Sequence, residues 1–203
     1  MSFGLFKYFS SKEKWPLLLE AIEYRVSKKI PGDIRIKKAF VQRMLSSGIQ
    51  LLKQDNGIKV EYDIQGKKNS FFLRNDSSDI SVFTQIILGN EYKTVVDIFK
   101  KLNLPIKRFV DAGANAGFSS LYLAAFYPEA EFVCLEPHPG NFAALTNNIS
   151  QNIQGNRFLL VQKALWNKPA QLSGDNSFRD GKDWSFSVKE TGKSTGDIEG
   201  ITM

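Results

Sequence analysis

Cysteine and long apolar runs are nearly absent from this chain of 203 residues. Its one cysteine, Cys134, excludes an internal disulfide and any metal site built from several thiolates. It lies in the run EFVCLEP, where a small buried hydrophobic residue is the expected role. We therefore expect no metal site of this kind and a reducing setting.

The sequence also has no segment suited to a membrane span or a secretion signal. No run approaches the roughly 20 consecutive apolar residues that cross a bilayer. The start, MSFGLFKYFS, lacks a long apolar stretch and a small-residue cleavage site. With 42% hydrophobic residues the chain can nevertheless bury a sizeable core, so we expect a soluble, cytoplasmic protein.

The glycine patterns that hold phosphates are missing as well. In RFVDAGANAGFSS (residues 108–120), Gly113 and Gly117 are four apart and Asn115 stands between them, which departs from the dinucleotide fingerprint. No Lys-Ser or Lys-Thr pair follows, so the P-loop pattern fails too. Asp111 at the strand end would repel a pyrophosphate near the helix N-terminus. Both phosphate-binding interpretations are therefore weak.

The excess of basic over acidic residues is confined to the N-terminal part of the chain. Residues 1–54 contain 11 Lys/Arg and 4 Asp/Glu, whereas residues 55–203 contain 16 and 17. Such a basic segment could attract nucleic acid or an anionic membrane surface. The lysines are scattered without interleaved glycines or aromatics, which favours a solvated helix face, and we do not expect a nucleic-acid partner.

Helical periodicity dominates the first 55 residues. Residues 11–30 predict a helix with an apolar stripe at Leu18, Ile22 and Val26. A second helix is predicted over 37–53. We take residues 1–55 as a basic helical extension.

The start of the first helix has two conflicting signals. Ser10 and Glu13 have the spacing of a capping box. Pro16 fits only the first turn of a helix, which predicts a start near Trp15 instead.

From residue 56 the pattern changes to a mixture of strands and helices. Residues 57–74 alternate on either side of QGKKN and predict a β-hairpin. SDISVFTQIILG and EYKTVVDIFKKLN are helical by period, with Ser78 or Asp79 as a cap for the first.

Strands and helices then alternate. Strands are predicted at 108–112, 131–136 and 157–164, and helices at 117–127 and 139–150. This order predicts parallel pairing with right-handed crossovers, and hence a Rossmann-like α/β fold of which the first three parallel strands are present. Strand-like pieces follow at 171–172 and 184–188. Residues 56–203 form the second predicted domain.

The residues around the turn favour S-adenosylmethionine (SAM) as the ligand. An acidic strand end suits a cofactor with an ammonium and a sulfonium and no phosphate. Gly113 and Ala114 let the backbone approach it. Glu136, 25 residues after Asp111 at the end of the second strand, could accept hydrogen bonds from both ribose hydroxyls.

These residues carry a family resemblance. FVDAGANAGFSS and EFVCLEPHPGNFAALTNNI resemble the first two motifs of class I SAM-dependent methyltransferases, and more narrowly of the FkbM family. LRNDSSDISVFTQIILGNEY (73–92) resembles that family's upstream segment, so the resemblance runs from Leu73 to the C-terminus. It implies SAM binding by Asp111, Gly113, Ala114, Asn115, Gly117 and Glu136, with Pro137 and His138 near the adenine. It further implies that Arg74, Asp79, Glu91 and Tyr92 border the cofactor or order its pocket.

A later stretch, GDIEG (196–200), is similar to the family's DxEG motif but lacks the apolar strand that precedes it there. We interpret IEGITM as the lead into the helix before that strand. On this interpretation the chain is C-terminally incomplete.

The resemblance implies O-methylation of a hydroxyl on a sugar, lipid-linked or natural-product acceptor. A general base would assist such a reaction. The single histidine, His138, is placed for cofactor contact, and the sequence identifies no catalytic base. Two alternatives stay open: a nucleic-acid methyltransferase or binder using the basic helices, and a truncated remnant that binds SAM without turnover.

Overall fold

The computed structural model describes residues 3–22, 31–175, 186–190 and 198–202. Its α-helices are α1 (Ser11–Ile22), α2 (Gly32–Ser46), α3 (Asp79–Phe83), α4 (Lys93–Lys101), α5 (Phe118–Phe126) and α6 (Pro139–Asn152). A 3-10 turn, Phe3–Tyr8, precedes α1, and α3 continues as a π-helical turn, Thr84–Leu88. The strands are β1 (Leu51–Gln54), β2 (Gly57–Ile64), β3 (Lys67–Arg74), β4 (Arg108–Ala112), β5 (Glu131–Leu135), β6 (Phe158–Val161), β7 (Ala164–Leu165), β8 (Ala170–Asp175), β9 (Ser187–Glu190) and β10 (Ile198–Ile201).

A reciprocal capping box starts α1. The Ser10 backbone N–H donates to Glu13 Oε2 at 2.7 Å, and the Glu13 N–H donates to Ser10 Oγ at 3.4 Å. The helix therefore begins at Ser11 with Pro16 inside it, and the predicted later start is wrong. Proline removes one helical hydrogen bond there, but the cap and the full burial of Leu17 hold the chain in the helix.

The predicted apolar stripe of α1 does not face the core where it can be observed. Leu18 is 37% exposed, whereas its neighbour Leu17 is fully buried. Helical period predicts an apolar stripe but does not say which side of the helix meets the core, and the side chain of Ile22 is not among those described. Val26 lies outside the described residues.

The second predicted helix, 37–53, is wrong at both ends. Helix α2 starts at Gly32 and stops at Ser46. Gly48, with φ 70°, closes it in a Schellman motif, in which the Ile49 N–H donates to the Met44 carbonyl at 2.9 Å and the Gly48 N–H to the Leu45 carbonyl at 3.1 Å. The chain is thereby freed for β1, which pairs antiparallel with β2.

The predicted hairpin is confirmed. Strands β2 and β3 pair antiparallel over their whole length, with Val60 opposite Phe71. The two turn residues, Gln65 and Gly66, both have positive φ (57° and 77°), as a type I′ hairpin turn requires. With β1 the hairpin forms a three-stranded sheet in the order β1-β2-β3.

The predicted parallel unit is also present. Strands β4, β5 and β6 form a parallel sheet in that order, which is compatible with a Rossmann-like fold. Within the described chain β4 pairs only with β5, and its Val110 is 48% exposed. The predicted third strand, 157–164, divides in two, because β6 ends at Val161 and Ala164 begins β7 in another sheet.

A third sheet has the order β7-β10-β8-β9. The sequence predicted that residues 198–203 lead into a helix, and it predicted no strand there. Ile198–Ile201 instead forms β10, which pairs parallel with β7 and antiparallel with β8. The alternation of buried and exposed residues explains the strand. Ile198 and Gly200 are buried, whereas Glu199 is exposed and accepts a hydrogen bond from Lys163 Nζ at 2.7 Å. The predicted strand piece at 171–172 is part of β8, and Trp184 lies outside the described residues.

Two asparagines of α6 attach the hairpin to the parallel unit. Asn148 Oδ1 accepts from the Phe72 N–H at 2.8 Å, and its Nδ2 donates to the carbonyls of Phe72 (3.3 Å) and Ala116 (2.9 Å). One turn later, Asn152 bonds both the N–H (2.7 Å) and the carbonyl (2.6 Å) of Ser70. The free edge of β3 is thus satisfied by side chains instead of a further strand.

Aromatic side chains fill the space between the hairpin, α3 and α5. The fully buried rings of Phe71 and Phe83 lie 5.1 Å apart, and Phe118 lies 5.9 and 5.8 Å from them, all edge to face. Such pairs contribute about 0.5–1.5 kcal/mol each beyond their burial. No helix in the described ranges is long and apolar enough to cross a membrane.

We expect Asn148→Ala to lower the free energy of unfolding by about 3 kcal/mol, because it leaves buried backbone groups unpaired. The matched control is Asn147→Ala on the same helix, where an exposed side chain bonds only the Gln151 amide and a change within about 0.5 kcal/mol is expected. Urea denaturation measures both. Equal losses for the two variants would contradict the role of Asn148.

Candidate functional site

The turn after β4 combines three residues of positive φ. These are Gly113 (85°), Asn115 (49°) and Gly117 (83°). The N–H groups of Gly113 and Ala114 both donate to the Leu135 carbonyl, at 2.8 and 3.0 Å. The turn is therefore held over the end of β5 before α5 begins.

The two glycines of this turn have different surroundings. A Cβ at Gly117 would lie 2.7 Å from Leu145 Cδ1, so this glycine allows the start of α5 to pack against α6. A Cβ at Gly113 would meet nothing within 4 Å. Gly113 therefore leaves space beside the turn, whereas Gly117 fills a packing role.

A cavity of about 310 Å³ lies between this turn and the segment from α3 to α4. Six of the predicted site residues line it: Glu91, Tyr92, Asp111, Gly113, Ala114 and Asn115. The other lining residues are Val82, Gln85, Ile86, Ala112, Ala116, Phe118 and Ser119.

Asp111 gives the cavity its negative charge. Its Oδ2 accepts hydrogen bonds from the hydroxyls of Ser119 (2.6 Å) and Ser120 (2.5 Å), both in the first turn of α5. Its Oδ1 accepts none from the described residues. Glu91 adds a second carboxylate, and no lysine or arginine from the described part of the chain lines the cavity.

Glu91 and Tyr92 form the wall opposite the turn. Glu91 Oε1 accepts a hydrogen bond from Gln85 Nε2 at 2.7 Å. Burial raises the pKa of the Tyr92 phenol, and the carboxylates of Asp111 and Glu91 raise it further. Tyr92 therefore keeps its proton at neutral pH and can act as a hydrogen-bond donor.

Asn115 carries an unsatisfied acceptor. Its Oδ1 is buried and has no hydrogen-bond partner within the described part of the chain. Leaving such a group unpaired costs about 1–3 kcal/mol. A bound ligand with a donor group would remove that cost.

Glu136 lies behind the turn and does not line the cavity. It is 4% exposed, and its Oε2 accepts from the Asn115 N–H at 2.8 Å. Its Oε1 accepts from the His138 N–H at 2.9 Å and from Asn141 Nδ2 at 3.5 Å. Burial raises the pKa of this carboxyl, while these hydrogen bonds and the charge of Arg74 act in the opposite direction. Its contact with a ribose stays a prediction.

The remaining predicted residues, Gly117, Pro137 and His138, are also outside the cavity lining. His138 Nδ1 accepts the Asn141 N–H at 3.2 Å as the N-cap of α6, and its ring lies 4.9 Å from that of Phe186. The histidine thus has a role at a helix start. Cofactor contact by Pro137 stays a prediction.

Arg74 connects three segments behind the site. Its Nη2 and Nε donate to the two carboxylate oxygens of the fully buried Asp79, at 2.7 and 2.9 Å. The same guanidinium donates to the Gly140 carbonyl and to Asn141 Oδ1, both at 3.0 Å. Neither Arg74 nor Asp79 lines the cavity. Their position is compatible with the second predicted role, in which they hold the surrounding segments in place and do not contact the ligand.

Several residues of this arrangement were not identified from sequence. Ser119 and Ser120 follow Asp111 by eight and nine residues, and their position in the first turn of the helix predicted over 117–127 was a signal that could have found them. Asn141 had no such signal, because its partners come from β3 and the turn after β5.

Cys134 is fully buried, as expected. Burial raises the pKa of its thiol to about 12, and Ser120 Oγ lies 3.2 Å from its sulfur. The thiol is therefore neutral at physiological pH. In the part of the chain that the structure describes, no group of three or more His, Cys, Asp or Glu residues could hold a metal ion.

We expect Gly117→Ala to destabilise the protein by about 1–3 kcal/mol more than Gly113→Ala. Both place a side chain at positive φ, at a cost of about 1–2 kcal/mol, but only the first also collides with Leu145. Thermal and urea unfolding of the two variants measure the difference. Equal destabilisation would contradict the packing role of Gly117.

Comparison with known proteins gives one short similarity. The chain is 45% identical over 51 residues, 25% of its length, to methyltransferase sdnD of Sordaria araneosa, and the matched stretch spans 20% of that protein. No protein-family model matches the chain. No solved structure matches it. Membership of the FkbM family thus stays a prediction, and what the chain resembles, over one stretch, is a methyltransferase.

Proposed function

We propose that the protein binds SAM in the cavity at the end of β4 and transfers its methyl group to a hydroxyl of a sugar, lipid-linked or natural-product acceptor. The observation that carries this proposal is the charge of the cavity. Asp111 and Glu91 contribute two carboxylates to its lining, and among the described residues no lysine or arginine lines it.

The negative charge of the cavity favours SAM over cofactors that contain a pyrophosphate. A pyrophosphate within about 4 Å of Asp111 would be repelled by roughly 4 kcal/mol per charge pair at a partly buried site. The ammonium and sulfonium of SAM would be attracted by the same field. The similarity to a named methyltransferase supports the same choice.

The cavity also offers groups that match the uncharged parts of such a ligand. Asn115 Oδ1 is an acceptor awaiting a donor, and the Tyr92 phenol is a donor. The open space beside Gly113 lets a ligand approach the backbone. We assign the ammonium to Asp111 and assign neighbouring polar contacts to Asn115 and Tyr92.

SAM supplies an electrophilic methyl group whose leaving thioether is neutral. The protein's main task is then alignment of the two partners, which can contribute about 7–11 kcal/mol toward the barrier. The cluster of Phe71, Phe83 and Phe118 and the Arg74–Asp79 ion pair pack behind the cavity and support its walls for that task. His138 caps α6, so we assign it no role as a base.

Calorimetric titration tests the cofactor. We expect SAM to bind and NADH not to bind, and we expect Asp111→Asn to weaken SAM binding about tenfold because it removes the charge while keeping a hydrogen-bonding side chain. Asp97→Asn, an exposed carboxylate paired with Lys93 on α4, is the control and should leave the affinity unchanged. NADH binding without a response to SAM would refute the proposal.

The ribose role of Glu136 needs a test that separates it from stability, because Glu136→Ala also removes the acceptor for the Asn115 and His138 N–H groups. We expect the native protein to bind S-adenosylhomocysteine at least tenfold more tightly than its 2′-deoxy analogue. This difference is the affinity expected from one hydrogen bond to a charged group. In Glu136→Ala this preference should disappear, whatever the loss of overall affinity. A preference retained by the variant would exclude the contact.

A further inference from the structure

Helix α1 exposes large apolar side chains on the side opposite the core. Trp15 is 68% exposed and Leu18 is 37% exposed, while Leu17 between them in sequence is fully buried. Leu18 follows Trp15 by three positions, so both lie on one side of the helix. Because about two thirds of its surface is exposed, the indole of Trp15 contributes little to the core that Leu17 enters.

The same stretch presents basic side chains and no free acid. Lys7 and Lys12 are exposed and Lys14 is half-buried. Glu13 is the single acid between residues 3 and 18, and it turns inward, where Lys37 Nζ bonds its two oxygens at 2.7 and 3.0 Å. The outward side of residues 7–18 is therefore apolar in the middle and positive around it.

The charge distribution of the whole chain matches this local pattern. Residues 1–54 hold 11 basic and 4 acidic residues, against 16 and 17 in the remainder. The excess of basic residues thus falls in the same part of the sequence as the exposed Trp15 and Leu18. A positive surface is complementary to a negative one, and an aliphatic side chain at its centre suits a partner with an apolar interior.

We infer that residues 7–18 dock the protein on the surface of an anionic phospholipid membrane. Trp15 and Leu18 enter the boundary between headgroups and acyl chains, where tryptophan is favoured. The lysines keep their ammonium groups at the level of the lipid phosphates and contribute electrostatic attraction. Leu18 distinguishes this partner from a nucleic acid, because an aliphatic side chain has no base to stack on.

Vesicle co-sedimentation of the full chain, without cofactor, tests the inference independently of the proposed function. We expect binding to phosphatidylcholine vesicles that contain phosphatidylglycerol at about 30 mol%, little binding to phosphatidylcholine alone, and a steep loss with added salt. Absence of binding to the anionic vesicles at low salt would overturn the inference, as would RNA or DNA binding in its place.

Two double variants locate the surface. Trp15→Ser/Leu18→Ser and Lys12→Glu/Lys14→Glu should each weaken partitioning about tenfold or more. The matched controls are Leu159→Ser, which removes an apolar side chain 59% exposed on β6, and Lys67→Glu/Lys68→Glu, which makes the same charge change in the hairpin. The controls should bind as the native protein does.

Melting temperatures confirm that each variant is folded, and brominated lipid reports the contact directly. We expect it to quench part of the tryptophan fluorescence in the native protein and not in Trp15→Phe. Equal weakening in the controls, or equal quenching in the native protein and Trp15→Phe, would show that residues 7–18 are not the contact.

Discussion

The rest of the structure depends on the hydrogen bonds by which α6 covers the free edge of β3. A strand edge that is buried without partners would leave several N–H and carbonyl groups unsatisfied, each at a cost of about 1–3 kcal/mol. Asn148 and Asn152 satisfy both groups of Phe72 and Ser70. Helix α3 and its π-helical turn follow β3 in the chain and line one side of the cavity. The hydrogen bonds that hold β3 against α6 therefore also position this side of the cavity opposite the turn after β4.

Elements set by local signals were predictable from sequence, and elements set by packing were not. The hairpin follows from alternation around Gln65-Gly66, and the β4–α5–β5–α6–β6 order from alternating periods. Helix α2 was misplaced because the apolar pair Leu51-Leu52 continues a helical period as well as it begins a strand. The Schellman motif at Gly48 ends the helix and so decides that Leu51-Leu52 belongs to a strand. Likewise, which face of α1 meets the core is settled by tertiary contacts.

The candidate site shows the same division. The turn residues Gly113, Asn115 and Gly117 were found from spacing, because backbone conformation at a tight turn restricts the residue type locally. The surroundings of Glu136 could not be found from spacing, because its partners are N–H groups from two different turns and the side chain of Asn141. A sequence motif locates the acid, but distant segments decide how deeply it is buried and which N–H groups its two oxygens accept.

Asp111 differs from the other shielded carboxylates in what compensates its charge. Asp79 is paired with Arg74, Glu13 with Lys37, and the oxygens of Glu136 accept three N–H donors. Asp111 has two neutral serine hydroxyls on one oxygen and no cation among its described hydrogen-bond or ion-pair partners. The hydroxyls fix the orientation of the carboxylate and leave its net charge in place. A carboxylate in the wall of a cavity, with no cation among its described partners, attracts a positively charged ligand, and this attraction is the reason for which we propose SAM there.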